Sequence, residues 1–349
     1  MLIKLNSILV FGLIAFFGAL LLYPGYITLL KKLKAGKQLR QESVTGDKAP
    51  IFNKLHGHKA GTPTMWGGLM LIIMIIMIGA SYLLQYYGYI NNTLVTRQET
   101  YILLFAFFSM GILGLIDDYL NIQGSGGIKW LTANMKLIRM VLFSGFISYR
   151  FYTKLGIDYF MLWPFAGEVH IGIFSAIVTF FLTITIVNAI NITDGLDGLV
   201  GGLLLIILGV LGVMTFISSW FIATTLIAIV IGCLLAFLWF NINPAKIFFG
   251  DSGALALGWF IATLVYLLNI RFGILLPFLL LFMLFWVEIG SSFLQIMSKK
   301  YLHRKLFAIA PFHHLLEHKG QAEHTIVMKF WLIQGVLAGI ALIGILYQL

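Results

Sequence analysis

Runs of about twenty apolar residues recur along this chain, and they constrain its fold more than any other feature. A helix of that length spans the hydrocarbon core of a bilayer, where only helices and closed barrels satisfy all their backbone groups. The chain is 10% charged, whereas a soluble domain carries about 25% charged residues. We therefore expect an all-α polytopic integral membrane protein that forms a single domain over residues 1–349.

Ten of these runs are long enough to be transmembrane helices. Only Ser218 and Ser219 separate the sixth run from the seventh, so that pair could be miscounted. An even number of spans places both termini on the same side of the membrane. The predicted spans are 6–30, 64–88, 99–116, 135–153, 171–188, 199–217, 220–240, 253–270, 274–297 and 325–348.

Positive charge is divided unequally between the two sets of loops. One set, with its flanking residues, holds 18 of the 23 Lys and Arg residues, and such loops remain cytoplasmic. Both termini are therefore expected outside. This bias explains the net charge of +10, and no basic face of a soluble fold points to a nucleic-acid partner. The basic loops are 31–63, 117–134, 189–198, 241–252 and 298–324.

Five aspartates lie on this same side, at span ends or in loops. Acidic residues contribute little to topology, so their shared location predicts one site at the cytoplasmic interface. The adjacent Asp117 and Asp118 point about 100° apart on a helix and can both approach one ligand. Their oxygens suit Mg²⁺ or a general base, although the pair alone is better explained as a solvated helix end. The other three are Asp194, Asp197 and Asp251.

The stretch 188–199 combines amides, carboxylates and glycines between two apolar runs. Glycines let the backbone approach a ligand, and amide and carboxylate groups can pair with a flat polar ring. An N-cap of the sixth span would explain one aspartate but not the whole set. The polar side chains are those of Asn188, Asn191, Asp194 and Asp197, and the glycines are Gly195 and Gly198.

Three further segments offer groups that suit phosphate or metal chemistry. Asp251 is predicted at a helix N-terminus, where it could serve a ligand or simply cap the helix. His313 and His314 could donate to phosphate oxygens or belong to a structured loop. Lys59 and Thr64 suit an oxyanion, but Lys59 could also snorkel, with Trp66 in an interfacial aromatic belt.

Glu288 lies inside the ninth apolar run. An intramembrane carboxylate is a candidate functional residue. It could equally support a helix break through hydrogen bonds to Ser291 or to a neighbouring span, and we favour that structural role.

These motifs, in this order, resemble the polyprenyl-phosphate N-acetylhexosamine-1-phosphate transferases. The resemblance covers nearly the whole chain. The stretches 59–65 and 310–320 look like the branch whose donor is UDP-N-acetylmuramoyl-pentapeptide. The other matching segments are 117–119, 188–199, 248–253 and 311–314.

The resemblance implies a Mg²⁺-dependent phosphoglycosyl transferase in the bacterial cytoplasmic (inner) membrane. It would join phospho-N-acetylmuramoyl-pentapeptide to undecaprenyl phosphate, a membrane lipid, giving lipid I and UMP. The active site would face the cytoplasm, and the enzyme would be a homodimer. The whole chain would then be one transmembrane transferase domain.

The resemblance also implies residue roles. Asp251 would be the chief magnesium ligand, Asp118 would support the metal site, and Asp117 would orient or deprotonate the lipid phosphate. An aspartate nucleophile remains an alternative. His313 would act at the phosphates, and Phe248 would stack on uracil. The implied substrate-binding residues are Lys59, Thr64, Asn188, Asn191, Asp194, Gly195, Leu196, Asp197, Asn241, Phe248 and His314.

Three positions depart from the family's pattern. The family's pattern has a lysine at the position where this chain has Asn121. A cation near the diphosphate is therefore missing, unless Lys129 or Lys136 replaces it. Leu315 stands where the family usually has a third histidine. Trp66 is an extra residue that would turn the second span by about 100°.

Other functions remain open. A sister transferase could use UDP-N-acetylglucosamine for another surface polymer. A secondary transporter also contains intramembrane acids and broken helices, but it places them near the midplane, and no inverted repeat is visible here. A catalytically inactive scaffold of cell-wall assembly would be consistent with Asn121 and Leu315.

Overall fold

A computed structural model describes residues 2–36, 57–96, 98–123, 133–156, 158–162 and 167–347. As predicted, these residues form a helical membrane protein, with one short hairpin in addition. The helices are α1 (Leu2–Lys32), α2 (Trp66–Tyr86), α3 (Gln98–Gln123), α4 (Ala133–Leu155), α5 (Phe174–Thr193), α6 (Leu199–Ile217), α7 (Phe221–Asn241), α8 (Gly250–Phe272), α9 (Leu275–Leu281), α10 (Met283–Leu302), α11 (Phe312–His318) and α12 (Glu323–Leu346).

A helix lies at each of the ten predicted spans, but they are not equally apolar. Eight of the described helices are long and apolar enough to cross a membrane. A ninth crossing results if α9 and α10, bent by 70° at their junction, form one span. Helix α4 is the tenth, and its two arginines and two lysines make it too polar for the same criterion. Ser218 and Ser219 do separate two helices, α6 and α7.

The hairpin was not predicted. Strands β1 (Tyr159–Met161) and β2 (Glu168–His170) pair antiparallel between α4 and α5. The Phe160 ring packs against Tyr266 of α8, with ring centroids 5.6 Å apart. The hairpin therefore covers the end of α8 that is remote from the aspartates.

Helix α8 forms the centre of the bundle and is almost entirely buried. It packs against α3, α5 and α2, while α1 packs along α7. Glycines allow the closest crossings: a Cβ on Gly67 of α2 would lie 2.4 Å from the Ser252 carbonyl carbon, and one on Gly114 of α3 would lie 2.5 Å from the Ser252 Cα. Small residues permit such approach between membrane helices, and here they bring α2 and α3 to the start of α8.

Trp66 is accommodated at the first position of α2, directly after Met65 with φ 80°. Its side chain is buried between Phe237 and Phe249, with ring centroids 4.7 and 4.6 Å away. An interfacial aromatic belt is therefore the wrong interpretation of this tryptophan, because it packs in the protein interior.

Candidate functional site

The N-terminus of α8 is capped by a carboxylate from another helix. Asp118, near the end of α3, accepts hydrogen bonds from the backbone N–H groups of Asp251 (2.9 Å) and Ser252 (3.0 Å). The first N–H groups of a helix have no partner within it, which explains this interaction. Asp118 therefore positions the start of α8, and with it the side chain of Asp251.

Asp251 lies in the first turn of α8, as predicted. Its carboxylate accepts a hydrogen bond from the Asn191 side chain at 2.6 Å and lies 3.5 Å from the Asn121 amide nitrogen. The neighbouring Gly250 N–H donates to Asp194 at 3.3 Å. The end of α3, the loop after α5 and the start of α8 thus meet at one point.

Asp117 forms an ion pair with Arg139 of α4, with 2.5 Å between Oδ1 and Nη1. The Asp117 side chain is 4% exposed and that of Arg139 is 23% exposed. In the sequence Arg139 counts only toward the positive charge of the basic side, because one arginine in an apolar run carries no motif. Lys129 and the side chain of Lys136, proposed as substitutes for the family's lysine, lie outside the described residues.

His313 is completely buried and held by Glu288. Its Nδ1 lies 2.8 Å from Glu288 Oε2, and its backbone N–H donates to Oε1 at 3.2 Å. Its Nε2 has no hydrogen-bond partner among the described residues and faces Gly195, where a Cβ would lie 2.2 Å away. The Glu288 carboxylate therefore holds His313, a contact that the sequence did not predict, while Ser291 donates only to the Glu288 backbone carbonyl within α10.

Lys59 belongs to a buried ion-pair network on the other side of this loop. Its Nζ lies 2.7 Å from Asp197 Oδ1 and 2.5 Å from Glu323 Oε1. Asp197 also accepts from the Asn243 side chain at 3.1 Å and from the Ala245 N–H at 3.0 Å. At 6% exposure Lys59 does not snorkel. Sequence analysis missed Glu323, since an acid at a helix start looks like an ordinary dipole partner.

Asn241 connects the polar loop to the segment before α8, and Phe248 connects that segment to the one before α2. Asn241 accepts from the Gly198 N–H at 2.9 Å and donates to the Ile247 carbonyl at 2.8 Å. The Phe248 N–H donates to the Pro63 carbonyl at 2.8 Å. Leu196 is buried in this loop. Asn241 thus ties the Gly198 end of the loop 194–198 to the segment before α8.

The remaining predicted residues lie at the edges of this arrangement. Thr64 is next to Gly250, where a Cβ would lie 2.6 Å from Thr64 Oγ1 and 2.8 Å from Asp118 Oδ2. His314 pairs with Glu317 at 2.7 Å. Asn188 donates to the Ile184 carbonyl one turn earlier in α5, a contact within its own helix rather than with the loop.

Carboxylate oxygens are the main ligands that this site offers. The described residues contain no group of three or more His, Cys, Asp or Glu side chains arranged to hold a metal ion. Asp117 adjoins Asp118 in the chain, and the Asp118 carboxylate is occupied by the backbone N–H groups of Asp251 and Ser252. Such a site can provide one or two carboxylates to a hard cation and can position anionic groups beside it.

Comparisons with known proteins identify relatives of this chain. Residues 100–269 match the family model described as "Glycosyl transferase family 4". The chain is 33% identical over 334 residues to the phospho-N-acetylmuramoyl-pentapeptide-transferase of Clostridium perfringens (strain SM101 / Type A), covering 94% of both chains. It is 31% identical over 349 residues to the protein of that name from Geobacillus sp. (strain WCH70), covering 98% of both. The Staphylococcus carnosus (strain TM300) protein of that name is 32% identical over 343 residues, 95% of this chain and 97% of the relative.

Proposed function

We propose, since this chain belongs to the phospho-N-acetylmuramoyl-pentapeptide-transferase family, that it makes lipid I in peptidoglycan biosynthesis. It transfers phospho-N-acetylmuramoyl-pentapeptide from the UDP conjugate to undecaprenyl phosphate and releases UMP. The observation that carries this proposal is the meeting of Asp117, Asp118 and Asp251 at the start of α8, at one end of an apolar helix bundle. A lipid acceptor and a water-soluble donor can meet at such an end.

The reaction forms one bond and breaks one bond at the same phosphorus. An oxygen of the acceptor phosphate bonds to the sugar-side phosphorus of the donor, and the bond from that phosphorus to the UMP oxygen breaks. Both reactants are anions, so catalysis depends on positioning and charge neutralisation. Asp117 orients the acceptor phosphate. The Nε2 atom of His313, which has no hydrogen-bond partner among the described residues, contacts a phosphate oxygen.

Magnesium fits the donor set of this site. Mg²⁺ is commonly held by one or two carboxylates together with substrate phosphates rather than by a closed protein cage. We assign Asp251 as the chief ligand and Asp117 as the second, with Asp118 as the residue that positions Asp251. The ion, when bound, neutralises charge on the donor's diphosphate.

The loop 194–198 and Phe248 form the proposed uridine pocket. Phe248 stacks on uracil, and the polar groups of the loop pair with its edge. Lys59 holds this loop through Asp197, so we assign Lys59 to shaping the pocket as well as to the phosphates. Asn241 and the Asn243 amide support the same loop from the segment before α8.

The location and assembly are proposed with the function. The apolar helices support a multi-pass membrane protein, and the bacterial relatives support the cytoplasmic (inner) membrane. The homodimer implied by the family resemblance stays a prediction. Molecular mass measured in detergent or nanodiscs would test it, and a single-chain mass would contradict it.

The experiment that tests the function follows radiolabel from UDP-N-acetylmuramoyl-pentapeptide into undecaprenyl phosphate. Purified protein should form labelled lipid and release UMP with Mg²⁺, lose activity in EDTA and regain it when Mg²⁺ is added in excess. Asp251→Ala should abolish transfer. The control Asp158→Asn changes an exposed carboxylate beside the hairpin and should leave transfer unchanged.

Two results would contradict the proposal. Release of UMP only from UDP-N-acetylglucosamine would identify the sister transferase. Unchanged transfer by Asp251→Ala would remove Asp251 from the reaction.

A further inference from the structure

The start of α8 gathers carboxylates, although both proposed substrates are anions. Asp117, Asp118, Asp194 and Asp251 are joined there by shared hydrogen bonds or adjacency in the chain. Among the residues that the structure describes, two cationic side chains form ion pairs with aspartates of the site. Lys59 pairs with Asp197 and Glu323, on the far side of the loop 194–198. Arg139 pairs with Asp117, the residue assigned to the acceptor phosphate.

We propose that Arg139 binds a phosphate oxygen at the reacting centre and is therefore a catalytic residue of this enzyme. The inference rests on the proposed function. A guanidinium carries five N–H donors in a planar fork, which suits a carboxylate and a phosphate at the same time. The pair with Asp117 engages the Nη1 atom. Arg139 is the more exposed partner, so an anion can approach the pair from its side.

The neighbouring position 121 carries no charge. Asn121 lies one turn after Asp117 on α3, and its side-chain nitrogen is 3.5 Å from Asp251 Oδ2. A neutral amide there provides no charge to a bound phosphate, at the position where the family pattern has a lysine. Arg139 brings a positive charge to the adjacent carboxylate from a different helix. The two positions thus flank the same group of aspartates.

This geometry predicts that positions 121 and 139 can exchange their function. We expect Arg139→Gln to lower kcat/KM by about tenfold to a hundredfold, the loss of one hydrogen bond to a charged group. Asn121→Lys should restore most of this loss in the Arg139→Gln background. Arg139→Lys should retain intermediate activity, because a lysine keeps the charge but not the fork.

The measurements are kcat and KM for each substrate, with thermal stability in detergent as the check on folding. Arg150→Gln is the matched control, since Arg150 is an exposed arginine further along the same helix. A rise confined to the KM for undecaprenyl phosphate assigns Arg139 to the acceptor. A rise confined to the KM for the UDP conjugate assigns it to the donor diphosphate.

A purely structural arginine would give a different pattern. If Asn121→Lys fails to restore kcat/KM in stably folded Arg139→Gln, Arg139 acts only on Asp117 and the proposal is overturned. Equilibrium binding of undecaprenyl phosphate and of the UDP conjugate gives a readout that does not need turnover. A wild type that releases no UMP would refute the proposed function. If, in addition, the Arg139→Gln variant binds both compounds as tightly as the wild type does, the role of Arg139 is refuted as well.

Discussion

The position of a single imidazole is determined by residues from two other segments. Glu288 of α10 holds the Nδ1 and backbone N–H of His313, while Gly195 provides the space in front of Nε2. The ring is thereby directed at the loop that follows α5. Gly195 is required here because of this close approach.

Gly195→Ala should therefore damage the site more than the fold. Its Cβ would lie 2.2 Å from His313 Nε2, so the buried imidazole or the loop must move. We expect the rate of UMP release to fall at least about tenfold, since small misplacements of reacting groups cost that much or more. The control Gly209→Ala adds a methyl group where nothing lies within 4 Å. Equal activity of the two variants would show that His313 is not in the reaction.

The start of α8 depends on how closely α3 and α2 approach it. Gly114 of α3 lies against the Ser252 backbone, one turn before the position of Asp117 and Asp118. The same contact brings Asp118 within reach of the Asp251 and Ser252 N–H groups. Capping and helix packing therefore support each other, because neither is possible unless the two helix backbones are almost in contact.

Gly114→Ala should separate α3 from α8. A Cβ there would lie 2.5 Å from the Ser252 Cα and 2.6 Å from the Asp251 carbonyl oxygen, and backbone atoms cannot rotate away. We expect about 1–3 kcal/mol of destabilisation from overpacking, together with loss of transfer activity. Thermal unfolding in detergent and UMP release measure the two effects. Gly79→Ala in α2, where nothing lies within 4 Å, is the control. A Gly114→Ala enzyme with wild-type stability would contradict the tight crossing.

At the scale of the whole molecule, residues distant in sequence meet at one end of the bundle. Lys59 and Glu323, 264 positions apart, lie within hydrogen-bond distance. The ends of α3, α5 and α7 and the starts of α2, α6, α8 and α12 all contribute to this end. The loops of this end are the basic ones, so the positive-inside rule places it in the cytoplasm and both termini outside. That orientation stays a prediction.

Cysteine labelling in intact cells can test the orientation. Cys233 is buried, so it should give little background with membrane-impermeant maleimide. Lys305→Cys changes an exposed residue beyond α10, and Asn91→Cys changes an exposed residue between α2 and α3. We expect Asn91→Cys to react from outside and Lys305→Cys only after the membrane is permeabilised. The opposite pattern would invert the topology and place the site outside.

Local sequence patterns were enough to predict much of this protein's fold. The length of the apolar runs determined that it is helical and crosses a membrane, because a bilayer excludes unpaired backbone groups. Helices lie at all ten predicted positions, and Asp251 lies in the first turn of α8 as expected. The clustering of aspartates on the basic side already indicated one site. The hairpin β1–β2 is an exception, since three-residue strands carry little pattern.

The tertiary structure decided which side chains act together. Arg139, Glu288 and Glu323 carry no local signal for their partners, because an ion pair depends on distance in space and not on spacing in the chain. For the same reason Asp118, which the sequence suggested as a support for a metal, is seen to cap α8 from another helix. A single sequence records the period of each helix but not which helices cross. The apolar runs therefore specified the membrane fold, and helix crossings at Gly67 and Gly114 assembled the site.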